Sequence, residues 1–136
     1  MTIREARADE VEEVLALWAA AGSIPSVTDT EEDVGRIVAS GHAWLLVAEQ
    51  DGRLAGTLIV TFDGWRGHVY RMAVLPELRR RGIATALVRA GEERLRAAGA
   101  RLLSAIVLED DAAEFWAAVG YERQPGARRF TKIVPR

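Results

Sequence analysis

Apolar positions change their spacing along the chain, and each change marks an element. "TIREA" alternates and reads as a short strand. From Asp9, the residues Val11, Val14, Leu15, Leu17 and Trp18 fall on one face of a helix. "AGSIPSVTDT" breaks that period with Gly22 and Pro25, and Thr28 or Thr30 can cap a second helix through "EEDVGRIVAS", ending near Gly41. "AWLLVAEQ" and "RLAGTLIVTF" are strands joined by Asp51-Gly52, a two-residue hairpin signal. "DGWRG" turns the chain into a further strand, "HVYRMAVL", which Pro76 stops.

A long amphipathic helix follows in "GIATALVRAGEERLRAAGA", with Ile83, Leu87, Val88 and Leu95 as its buried stripe and Gly99 as its stop. "RLLSAIVL" is an apolar strand, "DDAAEFWAAVG" a short helix, and "YERQ" and "RRFTKIV" are final strands. The order β-α-α-β-β-β-α-β-α-β-β predicts one α/β domain over residues 1–136, with no linker or repeat. Its hairpins make the sheet mostly antiparallel. The central β-α-β unit, around the long helix, makes its two strands parallel by a right-handed crossover, and helices cover both faces.

Composition narrows the function. The 136 residues suit a single core, and a net charge of -2 argues against a nucleic-acid binder with a basic face. The chain has no cysteine, which excludes thiolate sites and fits a cytoplasmic location. No apolar run is long enough to span a bilayer, so no membrane association is expected. The two histidines, His42 and His68, have no ligand-like spacing, and no metal site is expected.

Against that acidic balance stands "RRRGIA", Arg79 to Ala84, directly before the long helix. It reads as a solvated charge run, a nucleic-acid patch or a phosphate cradle. Cations oppose the macrodipole at a helix N-terminus, and such a local conflict points to a site. The first helical turn offers N–H groups without intrahelical partners, Gly82 lets a phosphate come close, and Ala84 is the next smallest residue. A local pyrophosphate cradle accounts for all of this. A Walker lysine and a Gly-x-Gly-x-x-Gly pattern are both missing.

"VLPELRRRGIATALV" resembles the acyl-CoA-binding motif of the GNAT superfamily of N-acyltransferases, Gln/Arg-x-x-Gly-x-Gly/Ala, with Arg79, Gly82 and Ala84 in its three defining positions. "TIREARADEVEEVLALW", "LLVAEQDGRLAGTL" and "FWAAVGYE" extend the resemblance over nearly the whole chain, in the manner of small stand-alone bacterial members. The resemblance implies the GNAT fold, with strands four and five splayed apart and the acetyl group of acetyl-CoA in the gap. It implies pantetheine along Met72, Ala73 and Val74. It places the pyrophosphate on Arg79, Arg80, Arg81, Gly82, Ile83, Ala84 and Thr85. By analogy a homodimer through the last strands is expected.

Other family positions are filled differently. The asparagine at the start of the helix after strand five corresponds to Glu109, or to Asp111 with a short deletion; an acidic group there suits the amine better than CoA, and Asp110 or Asp111 can instead cap the helix. The tyrosine that protonates departing CoA corresponds to Trp116, which fits packing against cofactor and core. Ser104 stands in strand five, where some members carry a glutamate base. His68 aligns with a glutamate base of other relatives and, with Tyr70, shares one face of strand four. His68 is therefore the expected base, and Tyr70 the thiolate acid.

The implied reaction is direct attack of a primary amine, on a small molecule or a protein N-terminus, upon acetyl-CoA. A lysine-like amine, pKa about 10.4, costs roughly 4–5 kcal/mol to deprotonate at pH 7, and an α-amine near 7.8 about 1 kcal/mol. Asp29, Glu31, Glu32 and Asp63 are candidates to attract the cation and Trp65 to stack on it, each being equally a turn or cap residue. The competing reading is an acetyl-CoA sensor without turnover.

Overall fold

Strand alternation and one close helix approach set the architecture. The computed structural model describes residues 1–108 and 110–136, the side chains of 110 and 111 excepted. The chain runs β1 (Thr2–Glu5), α1 (Val11–Ala21), α2 (Glu31–Ala39), β2 (Ala43–Gln50), β3 (Arg53–Phe62), β4 (Gly67–Val74), α3 (Ile83–Ala98), β5 (Leu103–Ala105) and α4 (Asp110–Ala118). Two 3-10 turns, Ala8–Glu10 and Pro76–Leu78, sit before α1 and after β4. Residues 1–106 and 107–136 are two compact units.

In the first unit the sheet order is β1-β2-β3-β4-β5. Three pairs are antiparallel, and β4–β5 is parallel, as the α3 crossover requires. Asp51 and Gly52 both take positive φ, +54° and +78°, the mirror-image turn whose twist suits a hairpin. Thr30 is the cap of α2, its hydroxyl accepting from the Asp33 N–H at 3.1 Å.

Successive residues of β2 and β3 point to opposite faces. Leu45, Val47, Leu54 and Ile59 pack with Val14, Leu17, Trp18 and Val34 of α1 and α2. Leu46, Leu58 and Val60 face α3: a Cβ at Gly91 would lie 2.8 Å from Val60 Cγ1 and 3.0 Å from Leu58 Cδ2. Gly91 therefore sets how closely α3 lies on the sheet. Helices cover both faces, as the pattern predicts.

One expectation needs correction. The final strands at "YERQ" and "RRFTKIV" do not form: residues 121–136 carry no strand, and Phe130 is 92% exposed. β-branched and aromatic residues favour a strand only where a pleated neighbour half-buries them. Pro125 and Gly126 instead make a turn, closed by the Ala127 N–H on the Gln124 carbonyl at 3.1 Å. The parallel β4–β5 pair of the β-α-β unit forms as expected, at the end of the five-stranded sheet.

Glu10 ties the N-terminus together. Its carboxylate is only 7% exposed and accepts two bonds from Arg4, both 2.8 Å, and one from the Arg7 N–H at 2.8 Å. Arg4 also reaches Glu49 of β2 at 3.1 Å. Arg4 chiefly, with the Arg7 N–H, outweighs burial and lowers the Glu10 pKa from 4.5 to about 2.

Gly91→Ala should destabilise the protein by about 1–3 kcal/mol in urea unfolding, because the interior has no room for the methyl. Gly35→Ala, in α2 with nothing within 4 Å, should instead stabilise it by about 0.5–1 kcal/mol. The lowered Glu10 pKa makes its contribution full above pH 4.5 and lost as pH falls towards 2. Across that window the wild type should lose roughly 2–3 kcal/mol more than Glu10→Gln, measured by unfolding at stepped pH.

Candidate functional site

The site begins with a break in β4. Ile59 of β3 faces Tyr70, but Thr57 faces Ala73, so two residues of β4, Arg71 and Met72, oppose one of β3. Arg71 takes φ +54°, uncommon for a residue with a Cβ. A chain of bonds holds the bulge. The Trp18 indole N–H donates to Thr57 Oγ1 at 2.8 Å, and the Thr57 hydroxyl donates to the Arg71 carbonyl at 3.2 Å. The Arg71 guanidinium lies 4.8 Å from the Trp18 ring centroid and pairs with Asp29 at 2.8 Å.

The bulge coincides with the end of the parallel ladder. β4 and β5 pair from Gly67–Leu103 to Val69–Ala105, and a last bond runs from the Ile106 N–H to the Val69 carbonyl at 3.4 Å. Beyond Val69 the two strands share no further ladder pair among the described residues. Among the described residues, the stretch Tyr70–Val74 thus pairs with β3 on one side only. Met72 is half-buried, and Ala73 and Val74 turn their side chains into the core, so their backbone is what this edge can offer.

After the 3-10 turn the three arginines diverge. Arg79 folds back, its Nε donating to the Val74 carbonyl at 3.1 Å and its Nη2 to the Ala21 carbonyl at 3.0 Å, a favourable place for a cation at the C-terminus of α1. Arg80 takes φ +65° and Gly82 φ +81°. Arg80 and Arg81 are exposed. Gly82 caps α3 without a side-chain bond, and a Cβ there would meet no protein atom within 4 Å. The fold requires glycine for its φ, and the space above stays open. The first bond of α3 is the Ala86 N–H on the Gly82 carbonyl, which leaves the Ile83, Ala84 and Thr85 N–H groups outside the helical ladder. The Ile83 side chain is buried, so only its backbone is available.

At the opposite end of β4, Asp63 organises "DGWRG". It accepts from the Arg66 N–H at 2.7 Å, the Trp65 N–H at 2.9 Å and His68 Nε2 at 3.2 Å. The Arg66 N–H, then His68 and the Trp65 N–H, lower its pKa to about 2. Trp65 is 70% exposed and carries the Arg66 guanidinium 3.9 Å from its ring centroid. A cleft of about 630 Å³ opens on this side, lined by His42, Thr61, Phe62, Asp63 and Tyr70. The Tyr70 hydroxyl lies 3.1 Å from Thr61 Oγ1.

The structure thus gathers Asp63, His68 and Tyr70 at one end of β4, and Met72 to Thr85 at the other. Asp29 and Glu32, expected to attract a cation, are occupied by Arg71 and Arg36. Glu109 lies outside the described residues, as do the side chains of Asp110 and Asp111. In the second unit Trp116 is buried and meets Phe115 and Tyr121 edge-on, at 5.3 and 5.0 Å. Ser104 sits opposite His68 in the parallel ladder. Sequence reasoning missed Trp18, Thr57 and Arg71 as one unit. The only local signal is an arginine that interrupts the apolar run in "VYRMAV".

The profile of the acetyltransferase (GNAT) family matches residues 8–121. An acetyltransferase of Photorhabdus laumondii subsp. laumondii is 39% identical over 116 residues, which span 85% of this chain and 81% of that protein. The fold is similar to that of aminoglycoside 6'-N-acetyltransferase AAC(6')-IG from Acinetobacter haemolyticus, with TM-score 0.81, 20% identity and coverage of 99% and 100% of the two chains. It is also similar to AAC(6')-Iy, solved in complex with the bisubstrate analogue CoA-S-monomethyl-acetylneamine, with TM-score 0.79, 20% identity and 98% of each chain covered.

Thr57→Val tests the bulge support. It removes one hydroxyl and strands two buried partners, the Trp18 N–H and the Arg71 carbonyl, so urea unfolding should show a loss of about 1–3 kcal/mol.

Proposed function

The chain belongs to the GNAT family of acetyltransferases, and on that footing we propose that it transfers the acetyl group of acetyl-CoA to a primary amine by direct attack. The acceptor is a small molecule or a protein N-terminus. One observation carries this reading: the β4 edge freed after Val69 leads through one turn into the left-handed Arg80–Gly82 loop and the open N–H groups of α3. A free strand edge suits the two amides of a pantetheine arm, and unpaired helix N–H groups suit a pyrophosphate.

The residues fit the donor by backbone more than by side chain. Met72, Ala73 and Val74 would hold the arm, and Arg80 to Thr85 the phosphates, with Arg80 and Arg81 adding charge. Arg79 serves indirectly, since its guanidinium holds the Val74 carbonyl. When bound, acetyl-CoA supplies the acetyl group as an activated thioester.

Asp63 and His68 form a base with its orienting carboxylate. Asp63 stays ionised at neutral pH, and with His68 Nε2 donating to it, Nδ1 is left to accept a proton. At about 3.3 Å per residue, His68 is roughly 10 Å along the strand from Arg71, so it takes the proton through water. Tyr70 lines the same cleft, its hydroxyl 3.1 Å from Thr61 Oγ1, and is the candidate acid for the departing thiolate. An α-amine, costing about 1 kcal/mol to deprotonate, suits such a relay better than a lysine. Trp65 and Asp63 bound the acceptor side, and the absence of cysteine supports the cytoplasm as the place of action.

Calorimetric titration with acetyl-CoA, beside CoA and ATP, tests the donor site. Acetyl-CoA should bind, and Gly82→Asp should weaken it by at least about tenfold with the fold intact by circular dichroism, because it sets a Cβ at φ +81° and a carboxylate among the phosphates. Thiol release across an amine panel then identifies the acceptor. Binding without release from any amine would support a sensor instead, and no binding would remove the donor site.

A further inference from the structure

Cross-strand partners in a sheet point to one face, so the register of the first unit gives that face row by row. One row is Ala43, Thr61, His68 and Ser104. The next is Leu45, Ile59 and Tyr70. Both lie on the face of α1 and α2, because Leu45 and Ile59 pack with those helices and Tyr70 borders the same cluster. That cover does not extend over β5. Leu45 and Ile59 are buried, whereas Leu102, Ser104 and Ile106 are exposed, Leu102 by 52% and Ile106 by 39%. Backbone bonds keep the two residues that flank β5 in line with it. The Gly67 N–H donates to the Leu102 carbonyl at 3.0 Å, and the Ile106 N–H to the Val69 carbonyl at 3.4 Å. Alternation then puts Leu102 and Ile106 on the face of Ser104, the ladder partner of His68.

Exposed strands at a sheet edge usually carry charge. Here no aspartate, glutamate, lysine or arginine stands in either row, or at 102, 104 and 106. The charged groups of β4 and the turn before it are engaged. Arg71 pairs with Asp29, Arg66 lies over Trp65, and Asp63 accepts from two N–H groups of its own turn and from His68. The Tyr70 and Thr61 hydroxyls bond each other. A second ammonium or a phosphate brought onto this floor would lose water and gain no partner. A branched chain or a ring would instead bury apolar surface against Leu102 and Ile106. We propose that the acceptor is an amine of single positive charge joined directly to an apolar body, a branched chain or one ring, and that Leu102 and Ile106 are the specificity-determining residues beneath that body. This rests on the acetyl-transfer reading above, with His68 as its base. The cleft over Ala43, Thr61 and Tyr70 continues the same floor towards β2.

Amino-acid amides test this, since all present the same α-amine and differ only in the body. Thiol release should give leucinamide and phenylalaninamide a kcat/KM at least about tenfold above glycinamide, serinamide and lysinamide. Ile106→Asn and Leu102→Asn should each raise the leucinamide KM about five- to tenfold, with the acetyl-CoA Kd within about threefold. Both residues are exposed, so the unfolding midpoint should stay near that of the wild type. A leucyl-glycyl-glycine arm separates the two sources of such an amine: turnover equal to leucinamide supports a protein N-terminus, and slower turnover a free small molecule. Equal turnover of glycinamide and leucinamide, or a preference for lysinamide, overturns the proposal and leaves the acetyl-transfer reading standing. So does a dimer in sedimentation that Ile106→Asn dissociates with the leucinamide KM unchanged, since a second copy then covers this face. No thiol release from any amide overturns the acetyl-transfer reading. The methyl chemical shifts of Leu102 and Ile106 on adding leucinamide with CoA then decide the floor separately: shifts that move support it as the site of an apolar amine, and shifts that do not move overturn it.

Discussion

The bond from the Trp18 indole to Thr57, continued from Thr57 to the Arg71 carbonyl, holds a backbone conformation that the strand would not otherwise keep. A residue with a Cβ at positive φ is costly by roughly 1 kcal/mol or more, and it persists where surrounding contacts over-determine it. Here a buried hydroxyl, an indole and a carboxylate all act on Arg71. Beyond the bulge Ala73 and Val74 are both buried, on a sheet that helices cover on both faces. The side β5 has left then offers backbone alone. The freed edge begins beside that kink, and the helix entrance comes one 3-10 turn after the strand.

Much of this was readable before the coordinates. Asp51-Gly52, the long stripe of α3 and the alternation of β2 and β3 rest on local chemistry, and they came out as read. The arginine-glycine entrance to the long helix was legible as an element boundary, and Gly82 is the N-cap residue of α3. The last two strands were not legible. "RRFTKIV" has strand composition, but composition cannot name a neighbour, and without one the segment stays exposed. The Arg71 unit was hidden for a different reason. Its partners lie 53 and 14 positions away at Trp18 and Thr57, and no local period joins them.

Three adjacent arginines also illustrate how little a charge run says about its members. Arg79 is a structural clamp on two carbonyls, Arg80 a left-handed turn residue, and Arg81 an exposed cation. Only the run as a whole was visible in sequence. A substitution at Arg79 would loosen strand and helix ends, and one at Arg81 would change surface charge. The same reasoning separates Asp29 from Asp63. Both are loop carboxylates, yet one binds a guanidinium from another element and the other folds its own turn.

The loop at Arg80 and Gly82 has a kinetic meaning. Its two left-handed residues are set when the protein folds, so the N–H groups of α3 already converge before an anion arrives. If the loop holds the donor pyrophosphate as proposed, binding there needs little loop ordering, and the entropy lost on association is correspondingly small. Capture is then governed by diffusion and by the local field of the exposed arginines, which makes it a step that salt slows and viscosity limits.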